Sequence, residues 1–594
     1  MKKIKYYIGA AALLLGGLSS CTLDTVNYTE KDQTNFPQTT NDQAQALAAI
    51  YQNLNVVNAN PQMSWFYVAQ LASDDALGGG GENDILMQAE DLLSVSTTNM
   101  TEQFWKDRYQ GIMRANTLLD AMGENGDPQT RGEALFLRAY YYYELSSMYG
   151  NIPLTTTSQK VEPVQATAAQ IWGQILQDLY TAATTMPATR RTDGHVDKYC
   201  AEGMLGRCWL YYTGMYCNGE DLAGLTSTSY SPLTEVELPD GTKLTKQMVI
   251  DCINDCVNNS GYSLVGDFRN LWAYTNRCTV KDYPYTSGAK DKDGNALKWV
   301  EDDENGNANP SQTERMFSIK FNKQASWSTT IGYANGYALH FGVRGTACFP
   351  FGAGWGAGPV APNLVSDWKA AEPTDMRMNA TIQNMQDLQG FALGGGGDFL
   401  QESGYYDKKL SPVEAKKDDG TVSVCFENLM YPDNWSVPGA ENLQLNNIHD
   451  LVLMRFAEVL LMQSELTENA DGMNKVRARA GLPAVSYSLQ ALQNERRFEL
   501  AFEGLRWNDI RRWHIAAAAL DKQTGTKIYN KGIEQLTLVL VFLILLVIML
   551  RQDSRRNRKI RLVCQRVASS RTLVGRCFFY VHQMVIPYLI IVEY

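Results

Sequence analysis

Residues 131–149 have the sequence RGEALFLRAYYYYELSSMY, and this stretch indicates the fold class of the chain. Apolar or aromatic side chains recur at positions 134, 137, 141, 145 and 148, the spacing of one face of an α-helix. Gly150 and Pro153 follow, and a glycine cap with a proline shortly after it is a common helix ending. The sequence therefore predicts a long helix that ends at Tyr149.

Similar helical patterns extend to both sides of this stretch, over residues 41–259. We predict a helix from a cap at Asp42 to Leu54, another that begins near Thr101, and three more over residues 171–186, 199–214 and 246–258. Short links and faces rich in Ala, Gly and aromatic residues suit paired helical hairpins. No strict 34-residue period is present. We therefore predict a mainly α fold of degenerate tetratricopeptide-like helical repeats.

Residues 260–443 differ in composition and are rich in Gly, Asn, Asp and aromatic residues. We predict that they form a large loop-rich insertion containing short strands. Long loops in a compact protein are usually functional, so this insertion is the predicted ligand-binding region. Helices return over residues 450–468, 472–480 and 489–513, in a C-terminal helical region of residues 444–530. The last of these helices carries dense mixed charge, which we predict forms salt bridges to the body.

The composition indicates a globular protein: 594 residues, 45% hydrophobic and 20% charged. The net charge of −11 makes nucleic acid an unfavourable partner for the chain as a whole. Residues 551–594 are an exception, with nine Lys or Arg against two Asp or Glu, so the rest of the chain is more acidic than the total.

The N-terminus predicts export. Three lysines within the first five residues precede an apolar run, and residues 18–21 read LSSC. We interpret residues 1–20 as a signal peptide, too short to span a bilayer. The LSSC sequence resembles a bacterial lipobox, which predicts that Cys21 is lipidated, with residues 21–40 as a linker behind several acyl chains. A soluble secreted protein is the alternative.

No cofactor or metal is predicted. The 11 cysteines include no CxxC pair, and the five histidines lack zinc spacing. Cys252 and Cys256 are four residues apart in a predicted helix, too far for a disulfide. Residues 303–314 resemble a calcium loop in spacing but lack its glycine. The tetraglycine runs 78–81 and 394–397 match no nucleotide motif, and we expect them to act as loop hinges.

Several segments, in one order along the chain, resemble the SusD/RagB family of outer-membrane nutrient-binding lipoproteins. They are LASDDA at residues 71–76, Trp105-x₃-Tyr109-x₂-Ile112-x₂-Ala115-Asn116, GEALFLRA at 132–139, YGNIPL at 149–154, RFAEVLLM at 455–462, VRARAGL at 476–482 and ERRFELAFEGLRW at 495–507. The resemblance covers residues 21–520. It implies helical repeats that support variable loops, a non-catalytic role in capturing oligosaccharides or peptides at the cell surface, and a SusC-like TonB-dependent outer-membrane transporter as partner.

The C-terminus departs from this family, because the resemblance stops near Asn530. Residues 531–594 form an atypical tail, with an apolar run over residues 536–550 followed by basic residues. Fifteen residues are marginal for spanning a membrane. We interpret the tail as an out-of-frame extension; a true membrane anchor is the alternative.

Glycan capture needs flat rings for apolar sugar faces and polar groups for hydroxyls. The loops supply candidate ligand-binding residues of both kinds: Asn83, Asp84, Trp327, Tyr333, Tyr337, Phe351 and Trp355, with Tyr406 and Trp435 as further rings. The alternative role of these rings is packing of the loops onto the scaffold. We expect a surface lipoprotein that is not an enzyme; the alternatives are a peptide-binding member of the same family, a glycoside hydrolase, and a scaffold for a protein partner.

Overall fold

The structure is a computed structural model. It describes residues 36–56, 61–93, 101–216, 230–301, 312–321, 335–344, 349–388, 390–394, 397–416, 420, 422–423 and 449–537. Within these ranges the chain is mainly helical, as the sequence predicts, with strands of two to five residues.

Eight helices make up the N-terminal part of the described chain. They are α1 (Thr40–Val56), α2 (Trp65–Leu71), α3 (Ile85–Asp91), α4 (Glu102–Met122), α5 (Pro128–Tyr149), α6 (Ala168–Thr185), α7 (Lys198–Met215) and α8 (Lys246–Asn259). From α4 to α8, each helix packs against the next, in the manner of helical hairpin repeats. The predicted repeat fold is therefore confirmed.

The boundaries of these helices follow their capping residues. Asp127 accepts a hydrogen bond from the backbone of Thr130 at the start of α5, and Gly150 ends the helix with φ +76°. The helix α1 begins earlier than predicted, because Thr39 and Asp42 bond to each other across its first turn. Asp42 therefore lies inside the helix, where its carboxylate still favours the N-terminus.

Helix α5 is the centre of the core. Every residue from Gly132 to Ser147 is buried, so the apolar face seen in the sequence is only part of the buried surface. The polar residues on its other faces find partners inside the protein: Arg138 bonds to Asp178 through two N–H groups, each at 2.7 Å. A buried ion pair of this geometry satisfies charges that would otherwise be costly to bury.

The described part of the central region contains three short helices, α9 (Gly336–Phe341), α10 (Pro362–Ala371) and α11 (Met376–Thr381), among loops. The strands pair in twos. The pairs, in chain order of their first members, are β1 (Glu235–Glu237) with β2 (Lys243–Thr245), β3 (Arg315–Ile319) with β10 (Leu451–Arg455), β4 (Val343–Arg344) with β5 (Ala353–Gly354), β6 (Ile382–Asn384) with β7 (Tyr405–Asp407), β8 (Ala415–Lys416) with β9 (Val422–Ser423), and β11 (Lys527–Asn530) with β12 (Ile533–Leu536).

The C-terminal helices are α12 (Phe456–Thr467), α13 (Asp471–Arg479), α14 (Leu489–Glu499), α15 (Arg506–Arg512) and α16 (Ala516–Asp521). Two predictions were wrong here. The segment before α12 is strand β10, because it pairs with the distant strand β3. The predicted helix over residues 489–513 is two helices, since Phe502 and Gly504 have φ of +63° and +73°. A side chain at Gly504 would also contact the Phe66 ring at 2.8 Å.

The mixed charge of residues 495–512 forms buried ion pairs, as predicted. Arg497 bonds to Asp75 and Asp367, each at 2.7 Å, and these partners lie in two other parts of the chain. The fully buried Arg377 bonds to Glu495 at 2.6 Å and to Glu499 at 2.9 Å. These contacts hold the C-terminal helices against both the N-terminal repeats and the central region.

The described C-terminal end continues past the predicted boundary at residue 531. Strands β11 and β12 form a hairpin across it, with Asn530 paired to Ile533. The predicted boundary therefore falls within one structural unit. The remaining apolar run and the basic tail lie outside the described residues, as does Cys21.

Within the described part, no helix is both long and apolar enough to cross a membrane. The cysteines Cys252 and Cys256 are free thiols, as expected from their spacing.

Candidate functional site

The first tetraglycine run, residues 78–81, packs against the backbone of residues 356–360. Ala76 and Gly79 form β-bridges with Val360 and Ala357, and the Gly80 amide donates to the Gly356 carbonyl at 2.9 Å. The run is buried along its whole length. This pairing joins the loop between α2 and α3 to the central loops.

The glycines are needed because two backbones approach each other closely. A Cβ at Gly79 would lie 2.1 Å from the Gly356 carbonyl oxygen, and Gly79 has φ of +69°, a conformation that L side chains rarely adopt. A Cβ at Gly81 would lie 2.2 Å from the Arg344 guanidinium. The expectation that this run is a flexible hinge is therefore wrong; it is a tightly packed turn.

Arg344 is the centre of the site. Its Nη1 donates to Asp84 Oδ2 at 2.7 Å and to the Trp355 carbonyl at 3.1 Å. Its Nη2 and Nε donate to the two oxygens of Asp398, at 2.6 Å and 3.3 Å. One guanidinium therefore brings together three loop segments that are distant in sequence.

Local structure positions each member of this cluster. Strand β4 pairs in parallel with β5, which places Arg344 opposite Gly354 and next to Trp355. Asp84 also accepts a hydrogen bond from the Gly81 amide at 2.7 Å, which closes the turn after the glycine run. The Leu400 amide bonds to the Gly80 carbonyl at 2.9 Å and holds the Asp398 segment beside that turn.

The electrostatics of the cluster favour its charged state. The hydrogen bond from Arg344 lowers the pKa of Asp398, whose side chain is 56% exposed. Burial lowers the pKa of Arg344, but the hydrogen bond with Asp398 and the charge of Asp84 outweigh it and raise the pKa overall. Asp398 and the Arg344 guanidinium thus remain ionised together near neutral pH.

Trp355 is joined to the same cluster through its backbone carbonyl and carries an aromatic ring. The ring is partly exposed and packs against the His340 ring, with centroids 4.3 Å apart. His340 is buried, and its Nδ1 lies 3.2 Å from the Tyr67 hydroxyl. Burial lowers the pKa of His340 to about 3. The ring behind Trp355 is therefore neutral, and the tryptophan has an uncharged support.

Comparison with known protein families identifies the chain. Residues 23–210 match the family described as "Starch-binding associating with outer membrane", and residues 413–537 match the "SusD family". Together the two matches cover more than half of the chain. The chain belongs to the SusD/RagB family. The second match ends at residue 537, so the resemblance to this family extends to the β11–β12 hairpin, beyond the Asn530 limit drawn from the motifs.

Individual SusD-like proteins are similar over most of the chain. A SusD-like protein of Formosa agariphila is 21% identical over 574 residues, covering 88% of this chain and 95% of that protein. Among solved structures, a laminarin-binding SusD-like protein is 23% identical with a TM-score of 0.58, covering 82% of this chain and 93% of its own. Surface glycan-binding protein A from Bacteroides thetaiotaomicron, in complex with laminarihexaose, is 16% identical with a TM-score of 0.57, covering 81% and 91%. These structures have the same fold.

The structure places the predicted ligand-binding residues of this SusD/RagB member in three groups. Asp84 and Trp355 come together at Arg344, and Asn83 is exposed next to Asp84. Trp327 and Tyr333 lie outside the described residues, as does Trp435.

The third group consists of rings that are packed inside the protein. Tyr337 and Phe351 are each 1% exposed, and Tyr406 is 2% exposed. The Tyr337 hydroxyl donates to Ser64 Oγ at 2.6 Å, and Phe351 packs edge-on against Tyr283. These side chains fix the loops to the scaffold, so we leave Tyr337 and Phe351 out of the proposed site. An aromatic residue in a glycine-rich loop does not by itself reveal which way its ring points.

Sequence reasoning missed Arg344 and Asp398. A signal for Asp398 is present, because residues 76–81 and 392–397 both read ALGGGG and each is followed by an acidic residue. Asp398 directly follows the second repeat and Asp84 lies three residues after the first, and both bond to Arg344. No comparable pattern singles out Arg344, whose role depends entirely on what the fold brings to it.

The calcium-like spacing of residues 303–314 ends at Glu314, whose side chain bonds to arginines. Glu314, its last position, is fully buried and bonds to Arg455 at 2.8 Å and Arg479 at 2.9 Å. The described residues contain no cluster of three or more His, Cys, Asp or Glu suited to a metal ion. Glu314 therefore serves the buried ion-pair network.

Proposed function

We propose that this protein captures an oligosaccharide at the Trp355 face of the Arg344 cluster, without altering it chemically. The observation that carries this proposal is the joining of a partly exposed tryptophan to two fixed carboxylates by one guanidinium. Sugar rings have apolar faces that stack on indole and hydroxyls that donate to carboxylates. Membership of a family described as starch-binding supports the same class of ligand.

The rigidity of the cluster supports binding as its role. Asp84 and Asp398 are held on Arg344, and backbone pairing of Gly79 with Ala357 ties the glycine run to the segment that carries Trp355. A site that is already in its binding geometry loses less conformational entropy when a ligand arrives. The side chains that would meet the sugar are therefore set in place before it binds.

The cellular setting follows from the N-terminus and the family. We propose that lipidated Cys21 anchors the protein in the outer membrane, exposed at the cell surface, where it delivers its ligand to a SusC-like TonB-dependent transporter. The description of the matching family as associating with the outer membrane supports this location. The signal-like residues 1–20 and the LSSC sequence support the anchor.

The proposal can be tested by calorimetric titration of the full chain against a panel of polysaccharides and peptides. We expect saturable binding of at least one polysaccharide, with no reducing ends released on prolonged incubation. Trp355→Ala should abolish or weaken that binding, whereas Asp293→Asn, a change in an exposed turn, should not. A folded protein that binds no glycan would contradict the proposal, and release of reducing ends would indicate a hydrolase.

A further inference from the structure

The surroundings of Trp355 carry more negative than positive charge. Three acidic side chains, Glu82, Asp84 and Asp398, lie on the two segments that contact Arg344 or adjoin its partners. Among the described residues, the cations that bond to these carboxylates are Arg344 and Lys531, and Lys531 is paired with Glu82. A ligand at this face therefore meets carboxylates in excess.

The one arginine in the cluster is already committed to the protein. Its Nη1 donates to both Asp84 and the Trp355 carbonyl, and its Nε–Nη2 edge faces the two oxygens of Asp398. Arginine recognises a carboxylate or sulfate through a pair of parallel N–H groups. No such pair is left on Arg344 for a ligand.

This arrangement is built into the backbone. A Cβ at Gly81 would lie 2.2 Å from Arg344 Nη2 and 2.3 Å from Asp398 Oδ2, so the ion pair sits directly against the glycine. An anionic ligand could gain a pair of parallel N–H groups from Arg344 only by displacing Asp84 or Asp398 from it. A displaced carboxylate would then repel the same ligand.

We infer that this site selects uncharged oligosaccharides and rejects chains that carry uronic acid or sulfate groups. The inference rests on the proposed function and narrows its ligand class. Carboxylates held by Arg344 keep lone pairs that accept hydrogen bonds from sugar hydroxyls. The same carboxylates repel a negative group placed among them. Hydroxyl-rich neutral chains thus gain contacts at the site, and acidic chains lose them.

The test compares a neutral gluco-oligosaccharide series with a glucuronate series of the same linkage and length, titrated into the full chain. At low salt, we expect the neutral ligand of the preferred linkage to bind at least about tenfold more tightly than the glucuronate ligand of the same linkage and length. Raising the salt concentration should narrow this ratio, since screening weakens repulsion between exposed charges. This readout requires no variant and so does not depend on any substitution being tolerated.

Substitutions provide the second measurement. Asp398→Asn should reduce the ratio of the affinity for the neutral ligand to that for the acidic ligand by several-fold. The control Asp293→Asn should leave this ratio unchanged. Asp293 is a suitable match because it is also exposed and paired with a cation, Lys292, but lies in another turn. Acidic ligands that bind as tightly as neutral ones, with an unchanged ratio in Asp398→Asn, would overturn the inference while leaving glycan capture intact. If neither series nor any other glycan binds, both this inference and the proposed function are overturned.

Discussion

Asp74 and Arg506 are 432 residues apart in the chain and form a buried ion pair held by two hydrogen bonds, Nε to Oδ1 at 2.7 Å and Nη2 to Oδ2 at 2.9 Å. The Asp74 side chain has no exposed surface. Burial alone would raise the pKa of Asp74, but the charges of Arg506 and Arg497 hold it well below its ordinary value. This pair joins two of the sequence segments that carry the family resemblance, LASDDA and ERRFELAFEGLRW.

We predict that Asp74→Asn destabilises the protein by about 3–5 kcal/mol, since it leaves two buried guanidinium groups without their shared carboxylate. Urea unfolding of the unliganded protein measures this. The control Asp293→Asn removes an exposed pair and should change the free energy of unfolding by less than about 1 kcal/mol. Equal effects of the two substitutions would show that the Asp74 pair contributes no more than a surface contact.

A second prediction separates ligand binding from packing. Trp355→Ala should weaken glycan binding by at least about tenfold, because stacking against the ring is lost. Phe351→Ala should instead reduce the free energy of unfolding by about 3–5 kcal/mol, since that ring is 1% exposed. Calorimetric titration and urea unfolding of both variants provide the comparison. If Trp355→Ala loses stability to the same extent and keeps its affinity, the tryptophan is a packing residue.

A third prediction concerns the glycine turn. Gly79→Ala should destabilise the protein by about 2–4 kcal/mol, from strain at positive φ and a clash with the Gly356 carbonyl. The control is Gly266→Ala, where an added Cβ would have no neighbour within 4 Å and φ is not positive. That change should be neutral or slightly stabilising. Thermal unfolding of the two variants measures the difference. A Gly79→Ala variant with an unchanged melting temperature would restore the interpretation of the run as a hinge.

A fourth prediction concerns pH. His195 Nδ1 lies 2.6 Å from Glu133 Oε2, and this hydrogen bond raises the pKa of His195 above 6.5 despite partial burial. Asp193 raises it further, whereas Arg191 opposes it. When the pKa of a histidine is higher in the folded state than in the unfolded state, the protonated histidine stabilises the protein. This stabilisation is complete below pH 6.5 and is lost as the pH rises through the pKa of the folded state.

We therefore expect the melting temperature to fall between pH 6 and pH 8, and the fall to be smaller in His195→Gln. A glutamine at this position can still bond to Glu133 but does not titrate. Identical pH profiles for the two proteins would show that the His195–Glu133 contact does not contribute to the pH dependence.

The fifth prediction concerns membrane attachment. Cys21→Ser should move the protein from the membrane fraction to the soluble fraction of the producing cells, because a serine cannot receive the thioether-linked lipid. Labelling with a radioactive fatty acid should likewise be lost. Cys278→Ser serves as the control, because Cys278 is a buried cysteine in the folded region. An unchanged distribution of the Cys21 variant would rule out the lipid anchor.

The sequence was most informative where structure depends on local pattern. Helix α5 ends at Tyr149 with a glycine cap because the signals for that ending lie within four residues of it. The same kind of reasoning failed at residues 451–455, which form a strand because β3 is available to pair with them. It also failed at Tyr337 and Phe351, whose rings point into the core. A pattern of residue types does not record which neighbours a loop will meet.

The sequence by itself determined the helical repeats, the loop-rich insertion and the family, since each depends on the order of residues within short segments. Only the tertiary structure decided the site. Asp84, Arg344 and Asp398 are separated by 260 and 54 residues, and no local rule relates them. They meet because glycines allow two backbones to touch and because a partly buried guanidinium is stabilised by carboxylates that bond to it.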